Sequence, residues 1–230
     1  MPINNASGFQ RKQLSNHIAE HIRAEILEGV HRPGEFLRLD DIAQNLGVSV
    51  TPVREAFMAL SVEGFVRHAE RRGFLVSTLK RRDFEDLYGL LAQVAARLAE
   101  RAATAITHKE IDQLRHIHSR LVEAAQAGRF DEVEQANDEF HRVINRTADS
   151  SKLAWVLLGV LKYVPKRLYA NIAGMSDMLI EQHGRILKAL EDHDPLEAST
   201  AMYEHEEKSM REVVESLEQR GLFKADGSTD

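Results

Sequence analysis

Between Asp40 and Val76 the chain carries an order of elements that few folds can accommodate: a short helix, a tight turn, a second helix and a β-hairpin. Asp40 to Leu46 reads as a helix with Ile42, Ala43 and Leu46 on its inner side, and Gly47 breaks it. Ser49 or Thr51 then caps a second helix, with Pro52 in the first turn, where a missing N–H costs nothing. That helix runs to about Glu63 and buries Val53, Ala56, Phe57 and Leu60; Gly64 stops it. Phe65-Val66-Arg67 and Phe74-Leu75-Val76 are β-prone runs separated by the polar segment HAERRG, a hairpin signal. Leu14 to Glu28 supplies a preceding helix with Ile18, Ile22 and Ile26 on one face, followed by a turn at Pro33-Gly34, and the first 13 residues read as loose.

Two helices meeting at a glycine turn set the second one across the major groove of DNA, where its N-terminal end reaches base edges and phosphates. Here that end is Ser49, Val50, Thr51, Pro52, Val53 and Arg54. The hydroxyls and free N–H groups suit phosphate oxygens, and Arg54 has the fork to grip a guanine or a phosphate. Arg71 and Arg72, at the hairpin tip, are placed to enter the adjacent minor groove. Arg38 and Arg67 are further surface candidates.

The charge supports this division of labour. The net charge is -6, yet residues 1–80 carry ten basic against nine acidic groups, and residues 81–230 twenty against twenty-seven. The acidic part repels a phosphate backbone, so contact with DNA belongs to the first part. At 43% hydrophobic and 29% charged the chain is ordinary globular material. It has no cysteine, which excludes disulfides and thiolate metal sites. The start lacks the apolar stretch of a signal peptide, and the longest apolar run, Leu153 to Leu161, is too short to span a bilayer; the expectation is a cytoplasmic protein with no membrane partner.

After Lys80 no strand pattern recurs. Six helices are expected at about 83–104, 108–127, 130–146, 150–173, 176–192 and 195–220, the fourth kinked by Pro165, with the tail from Lys224 disordered. The division is a winged helix-turn-helix over 1–80 and an all-helical domain, for effector binding and dimerisation, over 81–230. The overall class is mainly α. Asn137 and His141 stand four residues apart on one helix and share a face. His183 and His205 lie on two later helices, so three imidazoles and one amide oxygen can converge in a bundle core, as helical metal sites do. His116 and His118 read as surface.

The wording LGVSVTPVREAFMALSVEGFV followed by RRGFLVS resembles the GntR family of bacterial regulators over residues 14–78. Val50 stands where that family usually has an arginine that helps contact DNA; Arg54 and Gly73 keep their match. ANDEFHRVI, EQHGRILKALEDHD and AMYEHEEKSM resemble the FCD ligand-binding domain of the FadR subfamily, in its six-helix, VanR-like branch, over 83–218. The resemblance implies that Asn137, His141, His183 and His205 bind a divalent metal. Three imidazoles suit zinc, nickel or another late transition metal. Asparagine in place of the usual aspartate leaves the metal charge uncompensated, favouring an anionic ligand such as a small organic or sugar acid; an acyl-CoA is not favoured. Leu91 stands near the position of the arginine that often pairs the carboxylate, with Arg142, Lys162, Lys166 and Arg167 as possible replacements.

The expected function is a homodimeric repressor whose affinity for a double-stranded operator is set by such an effector. A metal-free regulator, and a metal-dependent enzyme acting on a small organic acid, are the competing readings. Against the enzyme, helical spacing points Glu139 and Glu204 away from the histidines, and no general base is in place.

Overall fold

The computed structural model describes residues 5–70, 72–165, 172 and 174–223, residues 5–10 by their backbone alone. The chain divides into two compact units, one running to Arg81 and including the chain from Leu217 onward, the other Arg82–Ser216.

In the first unit α1 (Asn5–Leu27) precedes β1 (Phe36–Leu37), α2 (Leu39–Leu46), α3 (Val50–Val62), β2 (Val66–Ala69) and β3 (Gly73–Val76). α1 begins well before Leu14, where the sequence reading starts it: residues 5–13 contain no proline to stop a helix growing back from its packed part. The core joins Ile18, Ile22 and Ile26 of α1 to Val53, Phe57 and Leu60 of α3, all buried. Phe57 meets Phe74 of the hairpin with ring centroids 5.1 Å apart. Arg23 fastens the helix pair from outside. Its Nη2 donates to Glu63 Oε2 at 2.6 Å, and the guanidinium lies 5.7 Å from the centre of the Phe65 ring.

The strands form one antiparallel sheet in the order β1-β3-β2. Phe36 opposes Leu75 and Leu37 opposes Phe74, while Val66 opposes Val76 and Ala69 opposes Gly73. β1 is absent from the sequence reading, because two residues are too few to show a period.

The second unit is helical throughout its described part: α4 (Arg81–Ala105), α5 (His108–Gln126), α6 (Phe130–Thr147), α7 (Ser151–Val160), a 3-10 turn (Leu161–Tyr163), α8 (Met175–Glu191) and α9 (Pro195–Gln219). α4 presents an alanine-rich face (Ala92, Ala95, Ala99, Ala102), which lets its neighbours approach closely, with Phe84 and Leu98 filling between. Thr107 and Glu110 form a reciprocal capping box at the start of α5, and Thr147 of α6 donates to the same glutamate at 3.0 Å. The expected fourth helix of 150–173, kinked at Pro165, is shorter: α7 ends at Val160 and passes through the 3-10 turn before the proline. Pro165 disfavours helical backbone at Val164, which is extended (ψ 117°). Residues 166–171 and 173 of that span, and the tail from Lys224, lie outside the described residues. Among the described residues no helix is long and apolar enough to cross a membrane.

Candidate nucleic-acid interface and metal centre

Gly47 closes α2 with its N–H directed to the carbonyls of Ala43 and Gln44, and Ser49 occupies the N-cap of α3 in extended conformation. Neither Ser49 nor Thr51 spends its hydroxyl on the orphan N–H groups of the first turn: Ser49 makes no side-chain capping bond, and Thr51 sits inside the helix. Both are exposed, as are Arg54, Glu55, Met58 and Val62 along the same side of α3, whereas Pro52 and Val53 face the core. Val50, the first helical residue, is half-buried. Met58 and Val62 are 55% and 88% exposed, two apolar side chains turned to the outer face. Arg38, at the N-cap of α2, and Arg54 are exposed, and neither is held in an ion pair among the described residues.

In the hairpin the Arg72 guanidinium rests 5.7 Å from the centre of the exposed Phe36 ring. Gly73 (φ +100°) brings its backbone so close to β1 that an added Cβ would meet the Leu37 carbonyl oxygen at 2.5 Å. Arg71 lies outside the described residues. One residue missing from the sequence reading joins this surface. Arg11, taken there as part of a loose leader, sits on α1 and lines a shallow groove with Leu14, Ser49, Thr51 and Pro52. Only the helical continuation of α1 brings it there.

The second unit brings three of the four expected ligands together. His141 comes from α6, His183 from α8 and His205 from α9. One ring nitrogen from each lies within 4.8 Å of the others, with centroids 4.9 to 5.2 Å apart. Nε2 of His141 and Nε2 of His205 are 3.2 Å apart. Two nitrogens sharing one tetrahedral zinc, with Zn–N of about 2.05 Å, stand about 3.3 Å apart, so the separation suits a common ion. Phe140 stacks on the His183 ring at 4.3 Å and 10° and fixes its plane.

Asn137, one turn before His141 on α6, is buried, and its Oδ1 has no hydrogen-bond partner among the described residues. Both ring nitrogens of His183 and Nδ1 of His205 are buried and equally without a hydrogen-bond partner among the described residues. Unsatisfied buried polar atoms each cost about 1–3 kcal/mol; each imidazole can offer one nitrogen to an ion, and the three that converge here form a donor set whose chemistry fits a late transition metal. Burial holds the three imidazoles neutral, the form that ligates. It pushes His141 down to about 4, although 19% of that side chain still meets solvent, and it pushes His183 and His205 well below the ordinary histidine value.

A carboxyl group absent from the sequence reading completes the neighbourhood. Glu206 is 14% exposed, its Oε1 lies 4.0 Å from His141 Nδ1, and burial raises it to about 8. Its position directly after His205 was a visible signal, but helical spacing alone points it to another face.

The remaining candidates do not meet at this point. Leu91 is buried on α4. Arg142 is exposed and shares a surface groove with Asp131, Glu134, Gln135, Asp138 and Glu139. Lys162 is exposed on the 3-10 turn; Lys166 and Arg167 lie outside the described residues. Glu139 is engaged by Arg120 at 2.7 Å and Glu204 by Arg185. His118, read as surface, is half-buried, with Nε2 at 3.0 Å from the Ile180 carbonyl, so it acts as a tie between α5 and α8.

Residues 14–76 match the gntR family of bacterial regulatory proteins, and residues 86–208 match the FCD domain. The chain is 28% identical over 210 residues to the HTH-type transcriptional repressor RspR of Escherichia coli K12, covering 90% of both chains. It is 29% identical over 197 residues to the probable D-xylose utilization operon transcriptional repressor of Paenarthrobacter nicotinovorans, covering 85% of this chain and 86% of that one. The solved structure of E. coli McbR/YncC shares the fold, with a TM-score of 0.69 at 20% identity, covering 90% of this chain and 98% of that one. With a helix-turn-helix and hairpin in one unit and a helical FCD domain in the other, this chain belongs to the GntR family of DNA-binding transcriptional regulators, in the branch that carries an FCD domain.

Proposed function

We propose that the protein is a homodimeric repressor whose operator affinity is set by a small organic or sugar acid bound at a divalent metal, zinc or nickel, inside the second unit. Asn137, His141, His183 and His205 hold the ion. The observation that carries this reading is the convergence of three imidazoles, two buried and one half-buried, each with a ring nitrogen within 4.8 Å of the others. The bound ion supplies a positive, Lewis-acidic centre to which a carboxylate is drawn. The protein's own part is to keep the imidazoles unprotonated, hold them in fixed planes and exclude bulk water. Leu91 brings no charge to the effector, and Arg142 points into its own acidic surroundings, so the metal carries the recognition of the acid.

In the first unit Ser49, Thr51, the N–H groups of the first turn of α3 and Arg38 grip phosphates, while Arg54 reads base edges beside half-buried Val50 and buried Pro52. Arg71, Arg72 and the Gly73 backbone address the minor groove. The exposed apolar side of α7 and the turn after it, with Trp155 75% and Leu158 62% exposed, supports a partner copy as its cover. Binding the acid favours one arrangement of the two DNA-binding units and so changes operator affinity.

The metal-free reading has one contact in its favour: the His141–His205 pair is short enough for a direct N–H···N hydrogen bond. One set of measurements separates the two. An operator duplex selected from a random pool is titrated by fluorescence anisotropy, and metal content is read on the same untagged preparation. The expected result is one zinc or nickel per chain, lost in His183→Ala, and a roughly 5- to 150-fold weaker operator complex for Arg54→Ala. Wild-type binding by Arg54→Ala overturns the DNA surface; a metal-free wild type that still responds to an acid overturns the metal.

A further inference from the structure

The four-residue run EHEE on α9, residues 204–207, holds three carboxylates with different surroundings. Glu204 pairs with Arg185. Glu207 accepts from Tyr203 at 3.1 Å and lies 3.5 Å from Arg211. Glu206 is the most buried of the three, and among the described residues the only basic group at its carboxylate is the His141 ring. A carboxylate taken out of water without a cation is held at a large desolvation penalty. Here the nearest place for a compensating charge is the point on which the three histidines converge.

His141 gives the arrangement a direction. Its two ring nitrogens face different groups: Nε2 lies 3.2 Å from His205 Nε2, and Nδ1 lies 4.0 Å from Glu206 Oε1, an electrostatic contact longer than a hydrogen bond. An imidazole with a carboxylate on its Nδ1 side favours the proton there and leaves the Nε2 lone pair for an ion, with raised basicity. Among the described residues neither His183 nor His205 has a partner on its other nitrogen to play this part. The ligand set is otherwise neutral, since Asn137 contributes an amide oxygen and no charge.

We infer that Glu206 is the built-in charge partner of the metal centre: it orients His141 through Nδ1 and supplies, from outside the ligand set, the negative charge that Asn137 does not. This rests on the metal-holding reading above. It deepens that reading, because a divalent ion countered by one internal carboxylate presents a single net positive charge to the effector, the charge that a monocarboxylate neutralises.

The test uses the full chain loaded with zinc, its affinity read by competition with a chromophoric chelator, and the visible spectrum of the cobalt-substituted protein as a report on ligand geometry. Glu206→Gln keeps the size and the acceptor oxygen and removes the charge; zinc affinity is expected to fall about 10- to 100-fold, with helix content by circular dichroism unchanged. Glu207→Gln, on the neighbouring half-buried carboxylate that pairs with Tyr203, keeps wild-type affinity. Adding Asn137→Asp to Glu206→Gln moves the charge into the ligand set and restores the loss to within about threefold, whereas Asn137→Asp alone gains less, because the charge is already present. If Glu206→Gln binds zinc as the wild type does while His183→Ala does not, the inference fails and the metal site stands. A double variant as weak as Glu206→Gln, whether from altered packing or not, also overturns it. A wild type that takes up no zinc overturns both.

Discussion

Replacing Gly73 by alanine tests the physical basis of the wing. Two penalties combine there. At φ +100° an L-residue is strained, which costs about 1–2 kcal/mol. The new Cβ would also stand 2.5 Å from the Leu37 carbonyl oxygen, so β1 must retreat by about 0.9 Å to reach ordinary contact, loosening the Leu37–Phe74 register. Together these amount to about 2–4 kcal/mol. Gly34 is the control: its φ is +83°, but nothing lies within 4 Å of its would-be Cβ, so Gly34→Ala carries the conformational penalty alone, about 1 kcal/mol. For a unit of this size 1 kcal/mol moves the melting temperature by about 4–8 °C. Gly73→Ala is therefore expected to lower it by roughly 10–25 °C and Gly34→Ala by roughly 4–8 °C. Hydrogen exchange of peptides spanning 66–77 assigns the loss to the hairpin, and operator affinity should fall with it. Equal losses in the two variants would show that the contact with Leu37 has no energetic weight, and the reasoning would be wrong.

Two further outcomes follow from the sites. Val50→Arg, at the first helical position of α3, should add a phosphate contact, tightening the operator complex and steepening the dependence of log K on log salt by about one per chain; an unchanged slope would remove Val50 from the interface. In chelator the stability of the second unit should peak near pH 6.5. His141 has its folded value lowered from 6.5 to about 4, so the stability it confers is complete above 6.5 and is lost as pH falls toward 4, by about 3 kcal/mol. His183 and His205 act in the same direction. Glu206, raised from 4.5 to about 8, contributes stability that is complete below 4.5 and is lost as pH rises through 8. Three histidines outweigh one carboxyl group on the acid side, and the carboxyl group alone acts above 6.5. Denaturant unfolding between pH 4.5 and 8.5 checks this, and a flat profile from 5 to 6.5 contradicts the buried neutral imidazoles.

The helix-turn-helix was legible because Gly47, Pro52 and Gly64 punctuate short amphipathic segments with local rules that need no tertiary information. The six later helices were legible by the same periodicity, and Asn137 with His141 by their spacing of four. What escaped depended on partners distant in sequence. β1 exists because Phe36 and Leu37 find β3. Arg11 reaches the groove because α1 extends past its amphipathic part. His118 is half-buried with Nε2 at the Ile180 carbonyl on α8, a contact set by the packing of α5 and α8 rather than by the local sequence. Glu206 looked like one acid among three; only the packing of α9 against α6 sets it apart.

The two-residue β1 has a mechanical meaning. By pairing with β3 it ties the hairpin to the turn that enters α2, while Phe57 ties the same hairpin to α3. The reading helix and its wing are thus clamped like the two jaws of a fixed-gauge tool, with no joint between them. A signalling molecule cannot regulate such a head by re-aiming one jaw. In the homodimer proposed above, the effector would act on the distance or angle between two such heads, so induction is expected as a changed tolerance for half-site spacing rather than as a changed preference for bases.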